Sequence, residues 1–439
     1  MRAAILTDFA NHDAAYSLCG VVANQAKMLT GNGVLTKVLV RTGFPEGDVG
    51  AYHGAEVVQL DPGETGTNTV EVTDKSGAEI EHLTNQMKDA LANVDVVLAH
   101  DVIYQPNQWK HHIAARRLAK ERPDLRWIHW VHSVTGMNVA AQTGAFAPEL
   151  AGKFPNSVLV AFHDEEINRK GAMYGYEMDE VVVVPHPIDL TECYHPLALE
   201  VIGKAGLVEA DVIGIFPCRL DRGKQPHFLI EIFAELNDMG WDARVVIVDF
   251  HSIHGGPKPG DEEFDKHPMH AIGWDKMVYR DEMKRLAAER HVPTTFTSDM
   301  DYAEADQHVD HKAVLDLMDY ADVLVQPSIA EAFSLVVFEA MWKRCGLVLN
   351  FDLPRWREFQ GRALLYKFSS GVDVMTGMLG ETKFKYPDRR AYMKHIAGGI
   401  AYQMKNNPVL RNHALMRKEY SLQAVWRKHL WPVLEGESV

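Results

Sequence analysis

Short runs of apolar, mostly β-branched residues recur along the chain, and stretches with a helical period lie between many of them. Runs such as VVVV and VVIV are apolar at every position, which is typical of strands covered by helices on both faces. The pattern predicts strands at Ala3–Leu6, Thr36–Val40, Val94–Ala99, Trp127–Val131, Val158–Phe162, Val181–Val184, Val212–Phe216, Ala243–Val248, Thr294–Thr297, Val323–Val325 and Gly346–Leu349. It predicts helices that include Val21–Leu29, Ala114–Lys120, Phe228–Leu236 and Ser334–Lys343.

This alternation indicates right-handed βαβ units and therefore parallel sheets. It breaks once, at residues 181–200, where three prolines lead into a fresh series of strands and helices. We therefore predict an α/β protein with two Rossmann-like, doubly wound domains, one over 1–195 and one over 196–410. Residues 251–273 lack an apolar period and are interpreted as a long surface loop. One or two further helices are expected in 410–434.

Ligands of open α/β sheets bind at the carboxyl ends of the strands. The chemistry is therefore expected in loops that follow strands, along a cleft between the two domains. The informative polar residues of this sequence lie in such loops.

Composition narrows the class of protein further. Of 439 residues, 45 are Lys or Arg and 60 are Asp or Glu, so the formal net charge of −15 argues against a general binder of nucleic acid or anionic membranes. Four scattered cysteines form no disulfide or zinc pattern and indicate a reducing compartment. The apolar run at the N-terminus is too short for a signal peptide or a membrane span. We expect a cytoplasmic protein without stable membrane insertion.

Two carboxylates mark the segment PSIAEAFSLVVFEAMWKRCG (327–346). Glu331 precedes a predicted helix and Glu339 lies inside it. A helix N-terminus offers free N–H groups and a partial positive charge that suit a phosphate. Carboxylates beside it suit hydrogen bonds to vicinal hydroxyls, as on a sugar and a ribose. A capping glutamate and a second, solvated glutamate would give the same spacing.

Two cations mark the loop after the first strand of the second domain, in the segment RLDRGK (219–224). Arg219 and Lys224 lie five residues apart before a predicted helix, an arrangement suited to a pyrophosphate. The alternative is a solvated turn in which Arg219 or Arg222 pairs with Asp221.

In this order, the two motifs resemble the retaining GT-B glycosyltransferases, most closely glycosyltransferase family 4. That family has an R-x-(D/E)-x-x-K loop and, further along, an E-x7-E element of the form PS…E(G)F(G)…EAMA.G. The segment 181–190 resembles its interdomain loop, and DLPRWREF (352–359) resembles its D-x-P-x-x-R-E segment. YSLQAVWRKHL (420–430) resembles the helix that crosses back to the first domain, and we assign 411–439 to it.

The resemblance implies a GT-B fold, two Rossmann-like domains facing across a cleft, and transfer of a hexose from a UDP- or GDP-sugar with retention of configuration. It implies that Arg219 and Lys224 stabilise the departing diphosphate. Glu339 is expected to hold the ribose and Glu331 the transferred sugar, and no metal or other cofactor is required. Further donor contacts are assigned to three residues of the same element: Phe333, Ser334 and Leu335.

The sequence departs from the family pattern at several glycines. Ala332 and Ser334 stand where the family has glycine beside the phenylalanine. The family's PNGVD-like turn reads Pro185-His186-Pro187-Ile188-Asp189. Because glycine allows a close backbone approach to phosphate or sugar, these changes affect the donor identity more than the fold.

Weaker signals lie in the first domain. Gly20 opens a predicted helix where the family has a glycine-rich loop that touches donor phosphate and acceptor. His132 follows a strand in the region where a family histidine positions the transferring sugar, and His129 is the second choice. Either histidine could instead be packed or solvated. HDEEINRK (163–170) resembles a helix start with acids at its positive end.

Three further patterns are interpreted as structural. Asp299-Met-Asp301 has the DxD form of a metal–nucleotide site but lies in a polar loop. The histidine-rich loops lack tetrahedral metal spacing; their residues are His251, His254, His267, His270, His308, Asp310 and His311. The stretch 105–126 holds six basic residues against two acidic ones and could track phosphates, although a solvated helix is the simpler interpretation.

The acceptor stays open among a glycan, a lipid-linked sugar, a small metabolite and a modified DNA base. Two alternatives within the same fold are a phage-type glycosyltransferase acting on hydroxymethylated pyrimidines and a sugar-nucleotide epimerase. A binding module without enzymatic activity is a third. The presence of Arg219, Lys224, Glu331 and Glu339 argues against that last class.

Overall fold

The computed structural model describes residues 1–65, 69–101, 105–132, 139–249, 259–266, 268–302, 309–368 and 388–436. The chain divides into two compact units. The first unit comprises Met1–Leu190 and Tyr420–Val439, and the second comprises Thr191–Glu419. The C-terminal residues thus fold with the N-terminal part of the chain.

Each unit contains one parallel sheet. Within the described residues, the first sheet has the order β3-β2-β1-β4-β5-β6-β7 and the second has β10-β9-β8-β11-β12-β13. The strands are β1 (Arg2–Leu6), β2 (Leu35–Arg41), β3 (Glu56–Leu60), β4 (Val96–His100), β5 (Arg126–Trp130), β6 (Ser157–Ala161), β7 (Val181–Val183), β8 (Val212–Pro217), β9 (Ala243–Val248), β10 (Thr294–Phe296), β11 (Val323–Gln326), β12 (Gly346–Asn350) and β13 (Leu364–Tyr366). In both sheets the chain first winds outward and then returns beside its starting strand, so the topological switch points lie at β1/β4 and β8/β11.

The helices that cover these sheets are α1 (Ser17–Gly31), α2 (Ser76–Ala90), α3 (Trp109–Glu121), α4 (Val139–Gln142), α5 (Ala147–Leu150), α6 (Ile167–Tyr174), α7 (Pro196–Lys204), α8 (His227–Asp238), α9 (Pro268–Glu289), α10 (His311–Tyr320), α11 (Leu335–Trp342), α12 (Arg389–Asn406), α13 (Pro408–Leu415), α14 (Leu422–Val425) and α15 (Trp431–Glu435). Short 3₁₀ turns include Arg222–Lys224 and Thr297–Asp299. π-helical turns at Met416–Tyr420 and Trp426–Leu430 flank α14.

The first sheet is covered on both faces by apolar side chains. One face packs against α2 and α3 through residues such as Leu83 and Leu118. The other packs against α1 and the C-terminal segment, where Trp426 and Leu430 contribute to the same cluster as Leu29. This two-sided burial explains why the strand sequences are apolar throughout.

A buried ion pair anchors the end of the second unit to its sheet. The Arg417 guanidinium donates to both carboxylate oxygens of Asp322, at 3.2 and 2.9 Å, and both side chains are buried. Asp322 also accepts a hydrogen bond from the backbone N–H of Ile213. Burial is the largest single influence and opposes ionisation of Asp322, but the charges and hydrogen bonds of Arg417 and His413 together outweigh it and lower the pKa of this carboxyl. Loss of either partner would leave a buried charge unpaired. The ion pair therefore stabilises the attachment of Arg417 and its neighbours to the sheet.

The predicted fold class, an α/β protein with two Rossmann-like parallel sheets in two units, is confirmed. All eleven predicted strands are present, and the structure adds β3 and β13, each at the edge of a sheet. The interpretation of 251–273 as a loop is wrong at its end, because α9 begins at Pro268. Residues 251–258 and 267 lie outside the described residues. In the described part of the chain, no helix is long and apolar enough to cross a membrane.

Candidate active site

A cavity of about 390 Å³ lies at the carboxyl ends of β8, β9 and β11 in the second unit. It brings together the two sequence motifs, because Arg219 and Lys224 line it together with Glu331 and Glu339. The remaining lining residues are Phe216, Pro217, Cys218, Val248, Asp249, Val309, His311, Val314, Gln326, Ser334 and Val336. The cavity therefore combines two cations, several carboxylates and an apolar wall.

Lys224 and Glu331 form an ion pair at this cavity. The Lys224 Nζ lies 2.5 Å from the Glu331 Oε1, and the two side chains are only 19% and 10% exposed. Gln326, the last residue of β11, donates from its Nε2 to the same oxygen at 3.3 Å and to the Ser334 Oγ at 2.5 Å. Because this cluster is shielded from water, its charges interact more strongly than a surface pair does.

A backbone contact holds the two loops together. The 3₁₀ turn Arg222–Lys224 follows β8, and its Gly223 carbonyl accepts a hydrogen bond from the Ile329 N–H at 3.0 Å. Gln225 then adopts a positive φ of 55° before α8 begins. The backbone of this turn therefore positions Lys224 at the cavity.

The three cations of the 219–224 loop have different surroundings. The Arg219 Nε lies 3.4 Å from the Asp221 Oδ2, and its side chain is 51% exposed, so this pair is weak. Arg222 instead donates to Asp275 and Glu282 of α9. Arg219 and Lys224 therefore line the cavity while Arg222 fastens the loop to α9. The alternative pairing of Arg219 with Asp221 is present as well.

Glu339, in the second turn of α11, contacts a residue that sequence reasoning did not place here. The His311 Nε2 lies 2.9 Å from the Glu339 Oε1, and His311 begins α10. The sequence singled out His311 only as part of a histidine-rich loop. Its position directly before an apolar helical period was the signal that could have linked it to the site.

The first turn of α11 is built on an unusual backbone. Ser334 has a φ of 56°, a conformation that glycine adopts at lower cost. The bond from Gln326 to its hydroxyl stabilises this conformation at the position where the resembled family has glycine. Phe333 and Leu335 are exposed and are not among the lining residues of the cavity. The Arg355 guanidinium lies 4.4 Å from the Phe333 ring centroid.

Asp249, directly after β9, is a second residue that the sequence analysis missed. Its carboxylate is buried at the cavity wall and accepts hydrogen bonds from the Ser298 N–H at 2.9 Å and the Ser298 Oγ at 2.6 Å. These bonds tie the loop after β10 to the end of β9. An acid directly after the apolar run VVIV (245–248) was the available signal.

In the first unit, His132 lies just beyond the carboxyl end of β5 in a stack of histidines. Its Nε2 is 2.9 Å from the His100 Nδ1, and its ring stacks on His186 with centroids 4.8 Å apart. Burial and the nearby Lys170 lower the pKa of His132 to about 4. Burial, His132 and Lys170 lower the pKa of His186 to about 4 as well. At neutral pH these rings are uncharged.

The other first-unit candidates are placed differently. His129 is buried beside Phe154 in the core, with ring centroids 4.6 Å apart, so its position does not suit a substrate contact. Gly20 lies exposed in the first turn of α1, and no other atom lies within 4 Å of where a Cβ would be. In the segment 163–170, Glu166 pairs with Lys170 at 3.2 Å, which gives the segment a structural role.

The histidine stack predicts how stability depends on pH. In the unfolded chain these histidines protonate near pH 6.5, whereas in the folded protein His132 and His186 resist protonation down to about pH 4. The unfolded state therefore binds more protons between these values, and the free energy of unfolding falls as pH falls through this window. His186→Phe removes one such group and should lower the slope by at most about 1.4 kcal/mol per pH unit, a limit approached near pH 5.

Urea unfolding between pH 7 and pH 5 measures this slope. His163→Phe serves as the control, because this histidine is 60% exposed. Equal slopes for wild type and His186→Phe would contradict the prediction.

The basic stretch 105–126 makes its contacts inside the first unit. Lys110 pairs with Glu79, and the Arg116 guanidinium donates to the carbonyls of residues 151–153. Lys110 and Arg116 are buried, and Arg117 pairs with Glu149. The solvated-helix interpretation is wrong for Lys110 and Arg116, and these two side chains do not form a surface that could track phosphates.

Both carboxylates of the DxD sequence are paired with cations. The Asp299 Oδ1 contacts Arg280 and lies 2.8 Å from the Lys284 Nζ. The Asp301 Oδ2 lies 2.7 Å from the Lys204 Nζ. These contacts favour a structural role. His308 lies outside the described residues.

A family comparison supports the class of activity. Residues 200–349 match the family model described as glycosyl transferases group 1. This segment covers about a third of the chain and includes Arg219, Lys224, Glu331 and Glu339. The match supports glycosyl transfer from a nucleotide sugar.

Solved structures align with nearly the whole chain at low identity. Anabaena Alr3699/HepE in complex with UDP-glucose is 13% identical, covers 97% of each chain and has a TM-score of 0.35. A glycosyltransferase from Rickettsia africae ESF-5 is 13% identical over 99% of this chain and 98% of that chain, with a TM-score of 0.35. Sucrose-phosphate synthase from Thermosynechococcus elongatus is 13% identical over 99% and 96%, with a TM-score of 0.30. No curated protein sequence matches significantly.

Proposed function

We propose that this protein is a retaining glycosyltransferase that moves a hexose from a UDP- or GDP-sugar to a hydroxyl of its acceptor. One observation carries the proposal: Arg219, Lys224, Glu331 and Glu339 line a single cavity at the carboxyl edge of the second sheet. The segment that supplies them is the one that matches glycosyl transferases group 1.

The residues divide the donor between them. Arg219 and Lys224 bind the diphosphate and balance the charge that develops on it as the sugar leaves. The free N–H groups at the start of α11, with Ser334, complete this phosphate site. Glu339 accepts hydrogen bonds from the ribose hydroxyls, and Glu331 accepts them from the transferred sugar.

Lys224 and Glu331, which form an ion pair, exchange partners when the donor binds. Without donor, the Lys224 ammonium is held by the Glu331 carboxylate. When the donor binds, a diphosphate oxygen replaces Glu331 as the partner of Lys224. A sugar hydroxyl then replaces Lys224 as the partner of Glu331. Both groups are kept in place by the existing pair, which lowers the cost of ordering them.

The transfer itself needs no protein nucleophile. The bond between the sugar C1 and the diphosphate oxygen breaks, and the acceptor oxygen bonds to C1 on the same face. The acceptor proton passes to an oxygen of the leaving diphosphate, so atoms and charges balance. The family resemblance further assigns His132 to the transferring sugar and Gly20 to the donor phosphate and the acceptor.

Activity is expected to survive excess EDTA, because Arg219 and Lys224 supply the positive charge that the diphosphate requires. Released nucleotide diphosphate, measured with and without EDTA, checks this expectation. Complete loss with EDTA and recovery with Mn²⁺ or Mg²⁺ would show that a metal is required.

A donor screen tests the function directly. UDP- and GDP-hexoses are incubated with candidate acceptors, namely a glycan, a lipid-linked sugar, small metabolites and hydroxymethylated DNA, and released nucleotide diphosphate is measured. Acceptor-dependent release with an α-linked product from an α-linked donor supports a retaining transferase. Epimerised or free sugar without an acceptor would favour the epimerase alternative. No release with any donor would contradict enzymatic transfer.

A further inference from the structure

An arginine of the second unit carries a charge that no group in the described residues neutralises. Arg355 lies in the short helical turn Pro354–Phe359 after β12, and its guanidinium carbon is 4.4 Å from the ring centroid of Phe333. The Phe338 ring stacks on Phe333, and its centroid lies 5.4 Å from the same guanidinium carbon. The Arg355 Nε is buried, yet across the described residues the guanidinium makes no hydrogen bond and no ion pair.

The other arginines that stack on aromatic rings have oxygen partners. In the described part of the chain, each of them donates to a carboxylate or a carbonyl oxygen; they are Arg116, Arg222, Arg280, Arg357, Arg389 and Arg417. Arg389 is the direct parallel, because it lies 4.9 Å from the Phe228 ring centroid and donates twice to Glu231, at 2.7 Å each. Stacking uses the face of a guanidinium and leaves its N–H donors in the plane available. Arg355 therefore offers the donors that Glu231 occupies at Arg389.

Phe333 places this cation beside one end of the donor cavity. Phe333 follows Glu331 by two residues, so their Cα atoms lie no more than about 7 Å apart. It directly precedes Ser334, and both Glu331 and Ser334 line the cavity. Arg355 is not a lining residue, so its guanidinium lies beside the cavity rather than inside it. This is the end at which Glu331 is proposed to hold the transferred sugar.

The unpaired donors indicate the chemistry of a ligand group. A guanidinium presents paired N–H donors in one plane, which match the two oxygens of a carboxylate. Arg355 is partly buried, so its charge is screened less than that of a fully exposed side chain. One positive charge balances a carboxylate completely but a doubly charged phosphate only in part. The hydroxymethyl group of an ordinary hexose would leave the cation without a counter-charge.

We infer that Arg355 recognises the carboxylate of a hexuronic acid, carried either by the transferred sugar or by the acceptor sugar next to it. This inference rests on the proposed function, because Glu331 is taken to hold the transferred sugar. The contact is an ion pair with hydrogen bonds, and no covalent bond changes. Arg355 thus determines substrate specificity and takes no part in breaking the bond to the diphosphate.

Nitrogen-15 NMR of the full-length protein, labelled at arginine, tests binding without turnover. The Nε–H signal of Arg355 is identified by its loss in Arg355→Gln. The probes are matched pairs in which a carboxylate replaces a hydroxymethyl group. The donor pairs are UDP-glucuronate with UDP-glucose and GDP-mannuronate with GDP-mannose; the acceptor pair is methyl glucuronide with methyl glucoside, added with UDP or GDP.

The Arg355 signal should shift with the uronate of at least one pair and not with its neutral partner. A shift in a donor pair assigns the carboxylate to the transferred sugar, and a shift in the acceptor pair assigns it to the acceptor. A signal that no uronate moves, or that both members of every pair move equally, would overturn the inference.

Transfer rates provide a second readout. Arg355→Gln should lower the ratio of kcat/KM for the uronate to kcat/KM for its neutral partner by about 10- to 100-fold, the range of one hydrogen bond to a charged group. Arg355→Lys should recover part of this ratio, because it keeps the charge but loses the planar donors. Arg389→Gln is the matched control and should leave the ratio unchanged, since Glu231 already occupies the donors of Arg389.

The two readouts separate this inference from the proposed function. An unchanged ratio in Arg355→Gln would overturn the inference. If sugar is transferred but no uronate moves the Arg355 signal, the inference fails and the proposed function stands. If a uronate moves the signal but no sugar is transferred to any acceptor, the carboxylate site stands and the proposed function fails.

Discussion

Lys224→Met is expected to lower the rate of sugar transfer by about 100- to 1000-fold, the usual cost of removing one preorganised group that stabilises a developing anion. The variant keeps the aliphatic stem but loses the charge that faces the diphosphate. It also leaves Glu331, only 10% exposed, without its cation, so this carboxylate would repel the incoming diphosphate. Arg219→Ala should also lower the rate, but by a smaller factor, because the Arg219 side chain is half exposed.

Released nucleotide diphosphate under saturating acceptor measures this loss. Lys276→Met is the matched control, because Lys276 pairs with Asp221 on the same loop at 3.2 Å but does not line the cavity. Its rate should fall far less than that of Lys224→Met, because Lys276 faces Asp221 and does not contact the cavity. Rates within twofold of wild type for both Lys224→Met and Arg219→Ala would contradict the proposal that these residues bind the diphosphate.

The two glutamates should respond differently to loss of charge. Glu339→Gln should weaken binding of the free nucleotide diphosphate by about 10- to 100-fold, because a hydrogen bond to a charged group contributes about 1.5–3 kcal/mol. Glu331→Gln should instead leave that affinity unchanged or raise it by about 2- to 5-fold, since Lys224 loses the partner that competes with the diphosphate. Transfer should nevertheless fall, because the sugar loses its acceptor carboxylate.

Isothermal titration calorimetry with UDP and GDP separates these outcomes, and turnover with several donor hexoses reports on sugar discrimination. Discrimination should weaken in Glu331→Gln and persist in Glu339→Gln. If both variants lose nucleotide affinity equally, the division of roles is wrong. If the pattern is reversed, the two roles are exchanged.

Most strands could be predicted because a buried parallel strand leaves a continuous apolar run. The two that were missed, β3 and β13, lie at sheet edges, where one side of the strand has no neighbour. Apart from Leu60, the side chains of these two strands are exposed or only partly buried. The run AEVVQL mixes apolar and polar residues, and ALLY is short. The start of α9 was missed because its first two turns carry proline, histidine and glycine, which are typical of loops.

The sequence also predicted the site only in part. Arg219, Lys224, Glu331 and Glu339 carry a motif with fixed spacing, so sequence alone could single them out. Their pairing could not be deduced, because the contact between Lys224 and Glu331 depends on the register of two separate loops. Gln326 belongs to no motif, and it becomes visible only through the side chains it contacts.

The histidine stack of the first unit was also beyond sequence-based prediction. With 22 in the chain, position after a strand favoured His132 but could not reveal that His100 and His186 stack beside it. These three residues lie at or just beyond the ends of different strands, and only the parallel order of the first sheet brings those ends to one edge.

The chain leaves the first unit after Leu190 and re-enters it at Tyr420, so the second unit is an insertion in the first. At the junction, the Ile188 N–H donates to the Tyr420 carbonyl at 2.7 Å, which holds the exit and the return side by side. For protein expression, a fragment of residues 1–190 would lack Trp426, Leu430 and Val433, which complete one face of its core. Joining residues 1–190 directly to 420–439 through a short linker should give a folded first unit, whereas residues 191–419 already carry a complete sheet.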